Sequence, residues 1–415
     1  MPNGLQPGAP VETAVALPRR FVVAIPARDE EERLPACLRA LTRQQDLCGH
    51  KVSPNAVRVV LFANNCIDQT ATLARSLGVC WGLGIRIFED ATPMEAAHAG
   101  AARRIAMDHA EAWLAETGEV SGVIMTTDAD SQVAPDWVAR NLAAIEAGAD
   151  AVLGRIELDD EGKLLPQPLH QRGKLEDTYE KLLAELSGRL DPVAWNPWPH
   201  HTTISGASLA IAREAYLAVG RLPAVPLGED KALVASLARR DARVRYCPKV
   251  LTITSGRTNG RAPGGVADTL RLRAGDPRAL CDEALEPFDV AWARAFWRGR
   301  MRRLYRTGLL WETAVWADAL AIPKAAADRL CRSAAFGSLW SAIETMSPVL
   351  ARHPLRPPQL PAEIKVAKLV LARLRAGSLC AGHDVKTEEA KALGPNDDAD
   401  ASHLLDEQAD GLVGA

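Results

Sequence analysis

Three apolar runs constrain this chain most. Arg20 to Ile25 (RFVVAI), Val57 to Phe62 (VRVVLF) and Gly122 to Met125 (GVIM) are continuous rather than alternating, and each precedes a segment with helical spacing. Continuous hydrophobicity suits a strand buried on both faces. After the first run, Leu34, Cys37, Leu38 and Leu41 mark one face of a helix with an acidic first turn. After the second, Asp68 reads as the N-cap of a helix running through Leu77 and ended by Gly78. A short strand over Ile85 to Phe88 leads into an Ala-rich helix from about Pro93 to Glu116. Beyond the third run come a helix over Pro135 to Ala147 and a strand over Ala151 to Leu158. This rhythm predicts βαβ units, hence an α/β fold with a mostly parallel sheet and helices on both faces.

The rhythm breaks between Asp159 and Thr203, where a charged helix (about Gly173 to Leu186) precedes the aromatic segment Trp195 to His201. It resumes with an apolar segment over Gly206 to Ile211, helices over Arg213 to Val219 and Lys231 to Arg239, and strands over Arg243 to Tyr246 and Val250 to Thr254. From about Asp276 the spacing is helical, with Phe288, Trp292, Ala295 and Phe296 on one face. The expected organisation is a disordered N-terminus over 1–18, an α/β domain over 19–275, a helical region over 276–381 and a disordered acidic tail over 382–415. The 415 residues allow two or three domains.

A formal net charge of -3 argues against a chain built for nucleic acid. Eight cysteines form no C-x-x-C pair, so neither a zinc ribbon nor a thioredoxin-like motif is indicated. A reducing cytosol is the simplest compartment. No run approaches the ~18 uninterrupted apolar residues of a membrane span, and the N-terminus lacks the pattern of a secretory signal.

Ligands of open α/β sheets bind beyond the carboxyl ends of the strands. That rule puts Pro26 to Glu30, Asn64-Asn65 and Asp128 to Asp130 on one rim. Asp128 and Asp130 flank a single alanine at the exit of a buried strand. They are either a solvated turn or the grip on a hard divalent cation, Mg2+ or Mn2+, whose ligands are carboxylate and phosphate oxygens. Glu229-Asp230 opens a helix, where a carboxylate serves as an N-cap.

The order VVAIPARDEE, VVLFANNCIDQT, GAARR, IMTTDADS, SGASLAIAREAYLAVG and LGEDKAL resembles the family 2 glycosyltransferases of the GT-A nucleotide-diphospho-sugar transferase fold, over roughly residues 19–260. The resemblance implies that Pro26, Ala27 and Glu30 hold ribose and base, and that Arg103 approaches the donor diphosphate. It implies that Asp128 touches the nucleotide, that Asp130 holds the metal, and that Asp230 is the base of an inverting transfer with Glu229 orienting the site. Two departures stand out. Relatives end the second strand in two aspartates, where this chain has Ala63 and Asn64; an Asn carbonyl still accepts a hydrogen bond but brings no charge. Many relatives place a metal-binding His after the last strand, where this chain has Thr254 and Ser255, followed by Arg257 and Arg261 on a Gly-rich loop suited to phosphate or an anionic acceptor. The Q-x-x-R-W signature of processive synthases is missing from this region, which favours one sugar per encounter. The implied partners are a UDP- or GDP-sugar donor and a small or lipid-linked hydroxyl acceptor. A nucleotidyltransferase of related fold and a non-catalytic sugar-nucleotide binder are the alternative readings; oligomeric state is left open.

Other features have plainer readings. His200-His201 point to opposite faces if extended and suit packing or an acceptor pocket. Trp195 and Trp198 read as a structural plug before a sugar platform. Gly82 to Gly84 is a turn, not a dinucleotide fingerprint. Arg294, Arg298, Arg300, Arg302, Arg303 and Arg306 form a basic helix, by default a solvated face, with peripheral contact to the inner membrane face as the sharper option.

Overall fold

The computed structural model describes Leu17 and residues 20–90, 98–159, 166–260 and 265–377. The expectations for the N-terminus, for a helix start at Pro93, for Arg261, for Cys380 and for the tail over 382–415 lie outside the described residues.

Among the described residues, eight strands make one sheet: β1 Phe21–Ala27, β2 Arg58–Asn64, β3 Gly84–Asp90, β4 Val123–Thr126, β5 Gln132–Val133, β6 Ala151–Leu158, β7 Leu209–Ala212 and β8 Val244–Thr254. Their order is β3-β2-β1-β4-β7-β6-β8-β5. The four strands β3, β2, β1 and β4 are mutually parallel. The predicted parallel sheet is therefore present, but β7 runs antiparallel between β4 and β6, and β5 runs antiparallel to β8. Hydrophobic spacing reports burial and carries no strand direction, so this reversal was invisible in the sequence. The two strands expected around Cys247-Pro248-Lys249 are one continuous strand, β8. A proline withdraws a donor from a ladder, and the pairing with β5 involves only Thr252 and Ile253, away from Pro248.

The helices are α1 Leu34–Thr42, α2 Thr70–Trp81, α3 Ala99–Glu116, α4 Trp137–Glu146, α5 Gln167–Leu190, α6 Arg213–Ala218, α7 Glu229–Arg239, α8 Val266–Gly275, α9 Phe288–Thr307, α10 Lys324–Leu330, α11 Phe336–Met346 and α12 Leu360–Arg375. They fall, with the strands, into two compact units. One comprises Met1–Asp159, Thr203–Val234 and Cys247–Ser255; the other comprises Asp160–Thr202, Ala235–Tyr246 and Gly256–Ala415. The insert after β6 thus groups with the C-terminal helices rather than with the sheet.

In the first unit, Val22 to Ile25 of β1 and Val59 to Leu61 of β2 are fully buried, as the continuous runs require. Each valine, leucine and isoleucine among them contributes about 1.5–3 kcal/mol on leaving water. Leu34, Leu38 and Leu41 of α1 join that core as their spacing predicts. α3 packs on β1 and β2; His98 caps it, its Nδ1 accepting from the Ala101 N–H at 3.1 Å. In the second unit, Phe288, Trp292 and Ala295 of α9 are buried with Tyr179, Val370 and Leu371. Arg294 pairs with Glu286 and Glu344, and Arg298 and Arg302 both pair with the buried Asp191. Half of the basic helix is therefore committed to internal ion pairs rather than to a solvated face or a lipid surface. Trp198 stands edge-on to His200 and is 41% exposed, so it is not a plug.

α2 shows why glycine position alone misleads. The helix passes through Gly78 and stops at Trp81, capped by Gly82 in the left-handed region at φ 68°. Gly78 is there for contact: a Cβ at this position would lie 2.3 Å from Cγ2 of Ile85 on β3. Replacing it with alanine gains about 1 kcal/mol of helix propensity but overpacks the helix–sheet contact, at about 1–3 kcal/mol. Because the colliding methyl is branched at Cβ and cannot swing aside, the clash wins. Gly78→Ala should lower the thermal midpoint of the protein, as read by circular dichroism.

Candidate active site

The site grows from the carboxyl ends of β1, β2 and β4. The loops after β1 and β2 are stitched together. The Glu30 N–H donates to Thr70 Oγ1 at 2.8 Å, the Glu31 N–H to Asp68 at 3.0 Å, the Ile67 N–H to Asp29 at 2.7 Å and the Gln69 N–H to Glu31 at 2.8 Å. The N-cap position of α2, expected at Asp68, is Gln69, and Asp68 one residue earlier accepts from the Thr70 N–H at 3.0 Å. These bonds hold Asp29 at φ 54°, a left-handed conformation uncommon for an aspartate. Pro26 and Ala27 lie in register with Phe62 and Ala63, and Asn64 is buried at the end of β2 opposite Asp90. Pro26, Ala27, Glu30 and Asn64 therefore share one rim of the sheet.

Beyond β4 the Thr127 N–H continues the parallel ladder to Ala24 O. The chain then turns at Asp128, whose carbonyl accepts from the Ser131 N–H at 3.1 Å and from the Cys37 thiol at 3.4 Å. Burial, and then the negative charges of Asp130, Asp128 and Glu30, push the Cys37 thiol pKa up. The Cys37–Asp128 contact thus joins the helix that follows β1 to the D-x-D loop. Ser131 Oγ donates to Thr254 Oγ1 at 2.8 Å and lies 3.4 Å from Asp130 Oδ1. The end of β8, where relatives were expected to carry a His, is thereby tied to the second aspartate by hydroxyls.

The centre of the site is Arg103. It occupies the buried face of α3 with Met107, Ala110 and Leu114, and its side chain is 8% exposed. Nε donates to Glu229 at 3.0 Å, Nη1 to Thr126 Oγ1 at 3.1 Å and to the Gly206 carbonyl at 2.9 Å, and Nη2 to Asp128 at 2.7 Å. Gly206 must be glycine here, since a Cβ would lie 2.3 Å from Arg103 Cζ. Burial alone would lower the Arg103 pKa; the charges of Asp128 and Glu229 outweigh it and raise it, so the guanidinium stays charged. The sequence reading placed Arg103 toward a diphosphate. Four of its donor contacts lie inside the protein, joining α3, β4 and the loop after it, the turn before β7 and the start of α7.

Asp230 stands beside this hub. Its Oδ2 accepts from the Gly206 N–H at 3.1 Å and its Oδ1 from the Lys231 N–H at 2.7 Å. The expectation was that the helix start would hold this carboxylate well ionised. Burial and the adjacent Glu229 charge prevail over the two N–H groups and Arg103, and raise its pKa above the ordinary aspartate range. Arg257 lies in the second unit, half-buried.

Two features of this hub escaped the sequence reading. Thr126 and Gly206 were not singled out as site residues. Arg103 itself carried a signal, an arginine on the apolar face of an Ala-rich helix, which must find buried anionic partners. Removing the guanidinium leaves Asp128 and Glu229 with uncompensated charge. Arg103→Met should cost about 3 kcal/mol, the lower end of what breaking a buried pair costs, because Asp128 keeps partial contact with water. The double variant Arg103→Met/Glu229→Gln should recover part of that loss, as measured by urea unfolding.

The family model described as glycosyl transferase family 2 matches residues 22–209. No curated protein matches the chain in sequence. Among similar solved structures, residues 1–349 of S. aureus TarS with UDP share 14% identity, over 86% of this chain and 92% of that one, with a TM-score of 0.42. The chain spans 35% of the longer TarS structure. The mannosyltransferase PcManGT from Pyrobaculum calidifontis, in complex with GDP-Man and Mn2+, shares 17% identity, over 96% of this chain and 87% of that one, with a TM-score of 0.43. Glucosyl-3-phosphoglycerate synthase from Mycobacterium tuberculosis, with Mn2+, UDP-Glc and phosphoglyceric acid, shares 18% identity, over 63% and 82%, with a TM-score of 0.35. Residues 22–209, which hold the rim of β1, β2 and β4 and the hub residues Arg103, Thr126, Asp128 and Gly206, match the family 2 glycosyltransferase model, so the chain carries a glycosyltransferase domain of that family.

Proposed function

We propose that this glycosyltransferase moves one sugar per encounter from a nucleoside-diphosphate sugar to an acceptor hydroxyl, with inversion and with Mg2+ or Mn2+ bound. The observation that carries this reading is the hub: one buried guanidinium holds Asp128 on the donor side and Glu229, next to Asp230, on the other. Pro26, Ala27, Glu30 and Asn64 receive the nucleotide, Asn64 through its side-chain amide. Asp128 is oriented toward the donor by Arg103, which acts as a positioning residue. Arg257 and Arg261 are assigned to phosphate or an anionic acceptor.

The residues present fit a hard cation. Arg103 occupies Oδ1 of Asp128, so Asp130, with the second oxygen of Asp128, is left to hold the ion; one or two protein carboxylates with substrate phosphates are the usual set for such metals. When bound, the ion supplies positive charge to the departing diphosphate.

Asp230 takes the acceptor hydroxyl's proton as that oxygen attacks the anomeric carbon. A base works best when its pKa lies near the operating pH, and the upward shift of Asp230 moves it in that direction. Among the described residues no helix is long and apolar enough to cross a membrane; we assign the enzyme to the cytoplasm, with donor and acceptor met from solution or at the inner membrane face.

A panel of UDP-, GDP- and dTDP-sugars, with and without Mn2+, tests the reading. One donor should raise the thermal midpoint by mass action and be turned over only with the ion; a ligand that stabilises without turnover would instead identify a binding protein. Asp230→Asn should lose about 10²–10⁴ in kcat while keeping the donor-induced thermal shift. The acid limb of kcat/KM should lie above the ordinary aspartate pKa, activity falling as pH drops through the raised value. Glu229→Gln removes a charge that raises the Asp230 pKa, so the limb should move to lower pH; a limb that stays put would remove Asp230 from the base role.

A further inference from the structure

Between α1 and β2 the chain makes a small hairpin, closed by an antiparallel bridge between Gln45 and Lys51. Its tip reads Asp46-Leu47-Cys48-Gly49-His50. Asp46 organises it from within. Its Oδ1 accepts from the Cys48 N–H at 2.8 Å and the His50 N–H at 2.9 Å, while its own N–H donates to the His50 carbonyl and its carbonyl accepts from Gly49. Asp46 Oδ2 lies 3.0 Å from His50 Nδ1. One carboxylate oxygen, the Cys48 sulfur and one imidazole nitrogen all fall within 4.8 Å of one another. The hairpin base is anchored: the Gln44 side chain donates to Ala134 O at 2.9 Å and accepts from the Val138 N–H at 2.9 Å, and the Gln45 N–H donates to Pro135 O at 2.7 Å.

We propose that Asp46, Cys48 and His50 form a surface binding site for a borderline-soft divalent ion of the zinc class, separate from the hard-cation site assigned to the D-x-D loop. A thiolate, an imidazole and a carboxylate are the donors zinc prefers, whereas Mg2+ and Mn2+ favour oxygen alone. Tetrahedral zinc needs its ligand atoms about 3.3–3.8 Å apart, by the geometry of its bond lengths. The three atoms already lie within about one ångström of that. Cys48 is exposed and free, and the His50 side chain is 64% exposed, so side-chain rotation alone closes the gap. On binding, the Cys48 thiol gives its proton to solvent and the sulfur forms the metal bond. Neutral His50 moves its ring proton to Nε2, and the Nδ1 lone pair turns to the ion beside Asp46 Oδ2. Water fills the fourth position.

The test is calorimetric titration of the full chain with Zn2+ in excess Mg2+, which keeps hard-cation sites filled. One ion per chain should bind, with proton release. Co2+ should give a thiolate charge-transfer band in the near ultraviolet. Cys48→Ser and His50→Ala should each weaken Zn2+ binding at least tenfold, and Cys48→Ser should abolish the cobalt band, with the metal-free thermal midpoint unchanged. Cys66→Ser, which alters the other described cluster of such side chains, Asp29, Cys66 and Asp68, should leave both signals intact. No stoichiometric Zn2+ binding, or binding lost in Cys66→Ser and kept in Cys48→Ser, would overturn the proposal.

Discussion

A single charge buried in the first unit sets the geometry of everything around it. The Arg103 guanidinium has left water almost completely, and desolvation on that scale is tolerated only where anionic and hydrogen-bonding partners are fixed around it. Asp128, Glu229, Thr126 and the Gly206 carbonyl are those partners. They come from a loop after a parallel strand, a helix start, a strand end and a turn before an antiparallel strand. Arginine suits the place because its planar fork presents five donors in fixed directions. A lysine ammonium is a compact charge and would not hold four groups of such different direction. Gly206 then has no freedom of its own, because the guanidinium fills the space of a side chain.

The same hub sets the chemistry at its borders. By occupying one oxygen of Asp128 it orients the other, and by holding Glu229 it keeps a negative charge against Asp230. The rim of β1, β2 and β4 also carries the carboxylates Glu30, Asp128 and Asp130; burial first, and their charges after it, raise the pKa of the Cys37 thiol. Negative charge gathered at the ends of rigid strands is a poor arrangement for stability and a good one for receiving a cation and a phosphate ligand. The second unit shows the opposite economy. Asp191, Glu286 and Glu344 neutralise Arg294, Arg298 and Arg302 where they stand, which removes much of the basic character that the sequence of α9 suggests.

Comparison of particular residues shows where the sequence was readable. The continuous runs of β1 and β2, the heptad-like spacing of Leu34, Leu38 and Leu41, and the position of Asp128 and Asp130 after β4 all follow from burial period alone. The reversed direction of β7, the merging of two segments into β8 and the passage of α2 through Gly78 do not. Each depends on a neighbour distant in the chain: β4 and β6 for β7, and Ile85 for Gly78.

By itself the sequence determined which segments are buried on two faces, which loops follow strands, and that acidic side chains occupy those loops, because hydrophobic period and turn chemistry are local. Only the tertiary structure decided that Arg103 is buried between Glu229 and Asp128, and that burial and the Glu229 charge raise the pKa of Asp230. Those outcomes depend on which charges lie within a few ångströms once the chain has folded, and on how much water folding removes from between them, and neither quantity is a property of spacing along the chain.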